Sequence, residues 1–379
     1  MKRLNLKQLG KPAIITLLVI AMLLIAGFTG CTLSSLMKTE PNLSDGQPSQ
    51  DNQPSQDQTN NNDVEKEPES TPVVVWYNVL TGLETTSDLA DLRPVSVCLG
   101  NSAYSLPQDG ISQMEILIEM PIENGQTRLL MLTTSYEKVA TIGPVQSMRP
   151  YLLEVGASFG AIHCFNGSDG TIQEDKLAQF DTLDYVSQKL QSVYYKDDTR
   201  LDPNDLMTNG ILISNAINKQ GFETKVAEGY QNPFTFVSPD ATVVLTGGTA
   251  KEVSIAYSSD LTVQFIFNTK TGQYDRYQFG EKQIDGNNGT PLAFENLFVL
   301  FASSITYDTE TGTSLDLVME DGGSGYYCTN GKQEQITWQY NSDGSMSFFD
   351  SEGNILEANR GTSYIGFVKA GCMEQVTIQ

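Results

Sequence analysis

Three rhythms of apolar and polar residues divide this chain of 379 residues. Behind a head carrying Lys2, Arg3, Lys7 and Lys11, residues 13–28 are almost wholly apolar. Residues 32–71 are instead rich in Gln, Asn, Asp, Ser, Pro and Glu, with Gln-Pro-Ser-Gln-Asp at 47–51 and again at 53–57. From residue 72 onward, short apolar runs alternate with turn residues, the pattern of a folded body.

The runs predict an α+β fold in two parts. In the first, 72–230, Val95 to Leu99 and Arg128 to Thr133 read as strands, and Val145 to Ala157 and Gly210 to Lys219 as helices. The second, 231–379, reads as a β-rich antiparallel meander through Val253 to Tyr257, Leu261 to Asn268, Phe294 to Ala302, Glu334 to Tyr340 and Met346 to Phe349. Thr271-Gly272, Asn287-Asn288-Gly289, Asn330-Gly331, Asp343-Gly344 and Glu352-Gly353 fall between such runs. Gly and Asn tolerate the positive φ that tight hairpins require. A body of this length exceeds one core of ordinary size, which favours two domains.

The basic head and apolar run form a secretory signal ending in Phe28-Thr29-Gly30-Cys31. With Cys31 at the cleavage point it reads as a lipoprotein signal spanning 1–31. The thiol would then carry a diacylglycerol and further acyl chains such as palmitate, which hold far better than one chain. An uncleaved membrane span is the competing reading, for which the run is at the short end. Phe28 also departs from the Leu usual three residues before such a Cys. Residues 32–71 bury too little apolar surface to order themselves. They read as a tether of on the order of 35 Å, placing the body outside the outer face of the plasma membrane.

Without its four leading positive charges the chain carries 19 basic and 46 acidic residues, a net charge of about −27. Such a surface disfavours nucleic acid and anionic lipid headgroups, so membrane attachment rests on the acyl chains. Cys98, Cys164, Cys328 and Cys372 are even in number, which permits disulfides in an exported chain, but Cys98 and Cys164 sit in apolar runs and read as buried thiols.

Candidate chemistry is sparse. His163 is the single histidine, which excludes any multi-histidine metal site, and its neighbour Cys164 should point to the opposite face of a strand. Ser135 and Lys138 match a Ser-x-x-Lys spacing by chance, in a strand-to-turn region. Glu115 and Glu119 share one face of a helix or of a strand, with Glu123 following. They could serve as paired acids on a glycan, but beside Ile116, Leu117 and Ile118 they read first as the solvated side of a half-buried element. Asp197, Asp198, Asp202 and Asp205 lack the spacing of a calcium loop. The turn at Gly143-Pro144 would place Gln146 and Ser147 at a helix N-terminus, and Arg128 and Arg149 could clamp an anion or pair internally with Glu119 or Glu123.

At these residues the chain resembles the YerB-like lipoproteins, an uncharacterised family of Gram-positive bacteria. The resemblance rests on Leu80-Thr81-Gly82-Leu83, Arg93-Pro94-Val95 through Asn101, and Pro107-Gln108-Asp109-Gly110 through Glu119, Glu123 and Arg128. Ile142-Gly143-Pro144 with Ser147, Arg149, Pro150 and Tyr151 continues it. In the second half it rests on Tyr274-Asp275-Arg276, Asp285, Asn296, Gly325-Tyr326-Tyr327, Asn330-Gly331-Lys332 and Trp338. It implies a membrane-tethered extracytoplasmic protein and brings no established activity. Gly100 replaces a usual Asp, Gln146 a usual Arg and Gln283 a usual His, and the segment 200–206 lacks the family's His after Pro203.

The leading expectation is therefore a lipid-anchored binding or scaffolding protein acting on a cell-wall polymer or an envelope protein, without cofactor, metal or nucleic acid. Its candidate binding patch is Asn101, Glu119, Glu123, Arg128, Arg149 and Tyr151. The alternative is a wall-active hydrolase using paired carboxylates. The sequence names no catalytic residue.

Overall fold

The runs that look most strand-like are the ones that become the middle of a sheet. The computed structural model describes residues 74–379 apart from 169, 171, 188, 310 and 311, so the signal, Cys31 and the tether lie outside the described residues. The main elements of the first half are β1 (Val95–Gly100), β2 (Ile116–Pro121), β3 (Thr127–Thr133), α1 (Pro150–Ser158), β4 (Ile162–Phe165), β5 (Thr182–Asp184) and α2 (Gly210–Gln220). The second half adds β6 (Glu252–Ala256), β7 (Thr262–Asn268), β8 (Gln273–Gln278), β9 (Asn296–Thr309) and β10 (Gly312–Val318). It continues with β11 (Gly323–Thr329), β12 (Lys332–Tyr340), β13 (Met346–Phe349), β14 (Ser363–Lys369) and β15 (Val376–Ile378). Strands predominate, and the fold is α+β.

An eleven-stranded mixed sheet takes strands from both halves in the order β13-β12-β11-β9-β14-β2-β3-β1-β4-β5, with β10 on the far part of β9. A six-stranded sheet is built from β8-β7-β6-β15, with short strands Glu281–Lys282 and Ala293–Phe294 on β8. One apolar cluster joins the two sheets through Leu117, Leu129, Val253, Phe265 and Tyr364. The other lies on the opposite face of the large sheet, where Ile118, Leu130, Leu152, Phe298 and Trp338 meet. Residues 74–379 belong to one compact unit. Near residue 234, Phe234 stacks on Phe298 at 5.0 Å and meets Phe159 edge-on at 5.6 Å, tying this segment to the core.

Three expectations are corrected. The second half is not wholly antiparallel, because β14 lies parallel to β9 on one side and to β2 on the other. The chain reaches that central slot only by crossing over through β10 to β13, and a crossover is what a parallel pair needs. The helix expected over 145–157 starts at Pro150, where Pro occupies the first helical turn and Arg149 before it is extended (φ −123°, ψ 155°). Residues 144–147 instead run beside β1, with Gly100 N–H donating to Pro144 O and Gln146 N–H to Cys98 O. Finally, Glu119 is fully buried and Glu115 largely so, because β2 has an apolar cluster on each face of its sheet. A strand covered on both sides has no solvated face.

Candidate functional site

The six residues singled out above divide into two internal clusters around the end of β2. Glu119 and Arg276 are both 0 % exposed and form an ion pair of 2.7 Å between Oε2 and Nη2. The Tyr364 hydroxyl donates to the same oxygen at 2.9 Å, while Asn101 Nδ2 and Thr127 Oγ1 each donate to Oε1 at 2.8 Å. Arg276 Nη1 donates to Gln278 Oε1 at 2.8 Å and also to Gln283. Gln283 Nε2 in turn reaches Gln108 Oε1 at 2.7 Å. This seam welds β2 of the first half to β8 of the second: both Glu119 oxygens and both terminal nitrogens of Arg276 find protein partners, while Arg276 Nε finds none among the described residues.

The second cluster is half-buried. Arg149 Nη2 lies 2.8 Å from Glu123 Oε2, and its Nε donates to both carboxylate oxygens at 3.2 Å. Leu315 N–H and Ser314 Oγ of β10 donate to Glu123 Oε1 at 3.1 and 3.2 Å. Burial alone would raise the Glu123 carboxyl, but the Arg149 guanidinium and these amides outweigh it and hold it near 2. Ser147 Oγ accepts from Arg149 Nη1 at 3.2 Å and from Arg128 Nη2 at 3.4 Å, and Arg128 also reaches Gln146 Oε1. Gln146 and Ser147 therefore sit on an extended segment rather than at a helix N-terminus. The Tyr151 hydroxyl donates to Pro121 O at 2.8 Å, and burial pushes its pKa up.

The remaining candidates are held separately. Glu115 accepts from Thr134 N–H, Thr134 Oγ1 and Asn78 Nδ2 at 2.5, 2.8 and 2.8 Å, and burial raises its carboxyl. His163 is fully buried, with Nδ1 2.7 Å from Ser96 Oγ, and burial lowers it to about 3. Cys164 packs into the apolar cluster between the sheets, and burial raises its thiol. Cys164, Cys328 and Cys372 are free thiols, with Cys372 partly exposed, and Cys98 Sγ donates to Ser147 O at 3.3 Å. Lys196 pairs with Asp205 at 2.7 Å and Asp202 at 3.5 Å, which offsets part of the charge of that acidic loop. Among the described residues no group of three metal-binding side chains occurs.

A hollow of about 300 Å³ opens beside Glu123, but a larger open concavity lies elsewhere, and no motif pointed to it. On β11 and β12 one face is apolar and buried through Tyr327, Ile336 and Trp338. Tyr326 pairs with Gln335 and Ser324 with Thr337, so these alternate side chains share the other face. They floor a groove of two lobes, about 610 and 530 Å³, that share Phe301, Tyr326, Gln335, Ser351 and Met373. The loop 246–248 closes one end against β12, where Gln333 N–H donates to Gly248 O at 3.0 Å. A Cβ at Gly247 would collide with the Gln333 carbonyl, so this approach requires glycine. Period-two alternation on β12 was the only sequence signal available, and it marks an exposed face without marking a groove.

Two models of a protein of unknown function, DUF3048, match this chain: its N-terminal domain over residues 80–223 and its C-terminal domain over 253–365. The chain belongs to this YerB-like family. "Putative lipoprotein YerB" of Bacillus subtilis (strain 168) is 27% identical over 264 residues, covering 69% of this chain and 77% of that protein. The crystal structure of the YerB protein from Bacillus subtilis superposes with a TM-score of 0.70 at 25% identity, covering 80% of this chain and 99% of that one.

Positions where this chain departs from the YerB-like pattern now have a location. Gln283 sits in the Glu119–Arg276 seam, and Gln146 Nε2 donates to Pro203 O at 2.6 Å. A Cβ at Gly100 would lie 2.5 Å from Ser105 Oγ, so a side chain there would require Ser105 to shift. Among the described residues of this member, no helix is long and apolar enough to cross a membrane.

Proposed function

We propose that this chain is a lipid-anchored extracytoplasmic binding or scaffolding protein of the cell envelope. Cys31 carries the anchor, residues 32–71 the spacing, and the folded body binds a wall polymer or an envelope protein at the outer face of the plasma membrane. The groove across β11 and β12 carries the reading: it is a two-lobed open concavity whose lining includes the unpartnered buried acceptor Gln333 Oε1. The name of the Bacillus subtilis relative supports the anchor.

The hydrolase alternative has less to draw on. Glu115, Glu119 and Glu123 each give their oxygens to donors of the protein, in three different surroundings. None faces another across a cleft in the way a pair of glycosidic acids must.

The test uses the chain in cells, wild type beside Cys31→Ser, with labelled palmitate and a membrane-permeant crosslinker. Wild type should take up label, sediment with membranes and crosslink to an envelope component, while Cys31→Ser loses label and membrane. Equal membrane retention without label would overturn the anchor. Absence of any crosslinked partner or wall retention would overturn the binding role.

A further inference from the structure

Building on the envelope-binding reading, the geometry points to a ligand class for the groove: an extended, basic segment of a partner protein that adds to the free edge of β15.

The polar lining asks for donors. Glu334, Asp350 and Glu352 line the groove, and no Lys, Arg or His does so among the described residues. Gln333 Oε1, also in the lining, is a buried acceptor with no hydrogen-bond partner among the described residues. Asp350 Oδ1 is held by the N–H groups of Glu352 and Asn354 and contributes charge, while Gln333 Oε1 has no donor; such an acidic lining suits a ligand carrying ammonium, guanidinium or amide N–H groups and repels a polyanion. Burial and the nearby Asp350 carboxylate both raise the Glu334 carboxyl.

The border of the groove offers a backbone. Val376 and Ile378 of β15 line it, and β15 is an outer strand of the smaller sheet, paired with β6 alone. Glu252 and Gln379 exchange both main-chain bonds, so hydrogen-bonded pairs fall at Gln379 and Thr377. Val376 and Ile378 therefore turn their main-chain groups away from β6. Val376 N–H closes on Met373 O, which leaves Val376 C=O together with Ile378 N–H and C=O on the outer side. An edge of this kind is a template for an added strand.

Apolar contact completes the fit. Met373 is 47% exposed on the rim, Tyr326 is half-buried on the floor, and Phe301 lies beneath it edge-on at 6.1 Å. A flexible thioether beside an aromatic ring accommodates varied side chains. Phe301 is only 3% exposed and presents no flat platform, so stacking against a sugar ring has less to work with than an extended peptide does. An incoming strand of about five residues would place alternate side chains on this apolar floor and carry its cations toward the carboxylates.

The experiment titrates fluorescent acetyl-(Lys-Val)4-amide against the full chain in non-ionic detergent. Counter-probes are acetyl-(Glu-Val)4-amide and the Lys-Val peptide N-methylated at alternate residues, which keeps its charge but cannot pair as a strand. Binding of the Lys-Val peptide should weaken roughly fivefold in Glu334→Gln with Glu352→Gln. It should change less than twofold in Asp240→Asn with Asp260→Asn, which removes two exposed charges that do not line the groove. N-methylation should weaken it at least tenfold. Equal binding of the N-methylated or Glu-Val peptide, or equal loss in both pairs of variants, would reduce the interaction to general attraction and overturn the assignment. Binding of an N-acetylglucosamine tetramer in the groove without binding of the Lys-Val peptide would also overturn it, while leaving the envelope-binding reading intact.

Discussion

The seam at Glu119–Arg276 and the groove on β11–β12 are built from the same kinds of residue and do opposite work. Both combine glutamines, tyrosines and carboxylates. In the seam, Gln278, Gln283 and Gln108 answer Arg276, Asn101 and one another, and the ion pair is closed to solvent. In the groove, Gln335 stands on the open face of β12 beside Tyr326, and Gln333 Oε1 finds no donor among the described residues. A polar side chain serves as a strut when protein completes its hydrogen bonds and as a receptor when something else must. The sequence patch chosen for binding lies mainly in struts.

That contrast can be broken most forcefully at the seam. Arg276→Ala would strand a buried Glu119 carboxylate and should cost about 3–5 kcal/mol in urea unfolding. Restoring a neutral seam with Glu119→Gln in the same chain should recover part of the loss. An Arg276→Ala protein as stable as wild type would mean that the seam is not a strut at all.

Acid provides the next largest effect. Unfolded His163 takes a proton below about pH 6.5, whereas the folded ring resists it down to about 3. The unfolded state then binds more protons, so stability falls as pH drops through that window, by on the order of 5 kcal/mol in full. Glu123 adds a smaller, partly screened loss between its ordinary 4.5 and about 2. Equilibrium unfolding from pH 7 to 3.5 should show the slope, and His163→Gln should flatten it. A slope unchanged by that substitution would place the acid sensitivity elsewhere.

Arg149→Ala removes one side of the Glu123 pair and should lower stability by about 1–3 kcal/mol, measured by thermal unfolding. Glu123 stays hydrogen-bonded to β10 in that variant, which is why the effect is smaller than at Arg276. At the groove, Gln335→Ala and Ser351→Ala should shift stability by less than about 0.5 kcal/mol while weakening ligand binding. A marked loss of stability there would turn the groove into another strut.

Much of the secondary structure was legible because its signals are local. Val95–Gly100 and Met346–Phe349 coincide with the expected strands nearly residue for residue. Helix α2 carries its own punctuation: Asn209 Oδ1 accepts from Leu212 N–H at 2.9 Å, and Gly221 ends it at φ 71°. Asn330 and Gly331 both take positive φ in the turn between β11 and β12, as an Asn-Gly pair should. The extended stretch before Pro150 was also local information, outweighed in the reading by apolar spacing.

The amino-acid sequence by itself determined which short stretches extend, coil or turn, and its residues 1–71 carry the expectation of anchor and tether. Tertiary structure alone decided which polar residues meet. Glu119 and Arg276 are 157 residues apart, and Ser363 pairs with Ile116 across the middle of the large sheet. Periodicity and propensity act over a turn or a strand, so they give the face on which a side chain stands but not what covers that face. Glu119 and Gln335 both stand on strand faces. Only the packing of a second sheet over one and open space above the other made the first a strut and the second part of a groove.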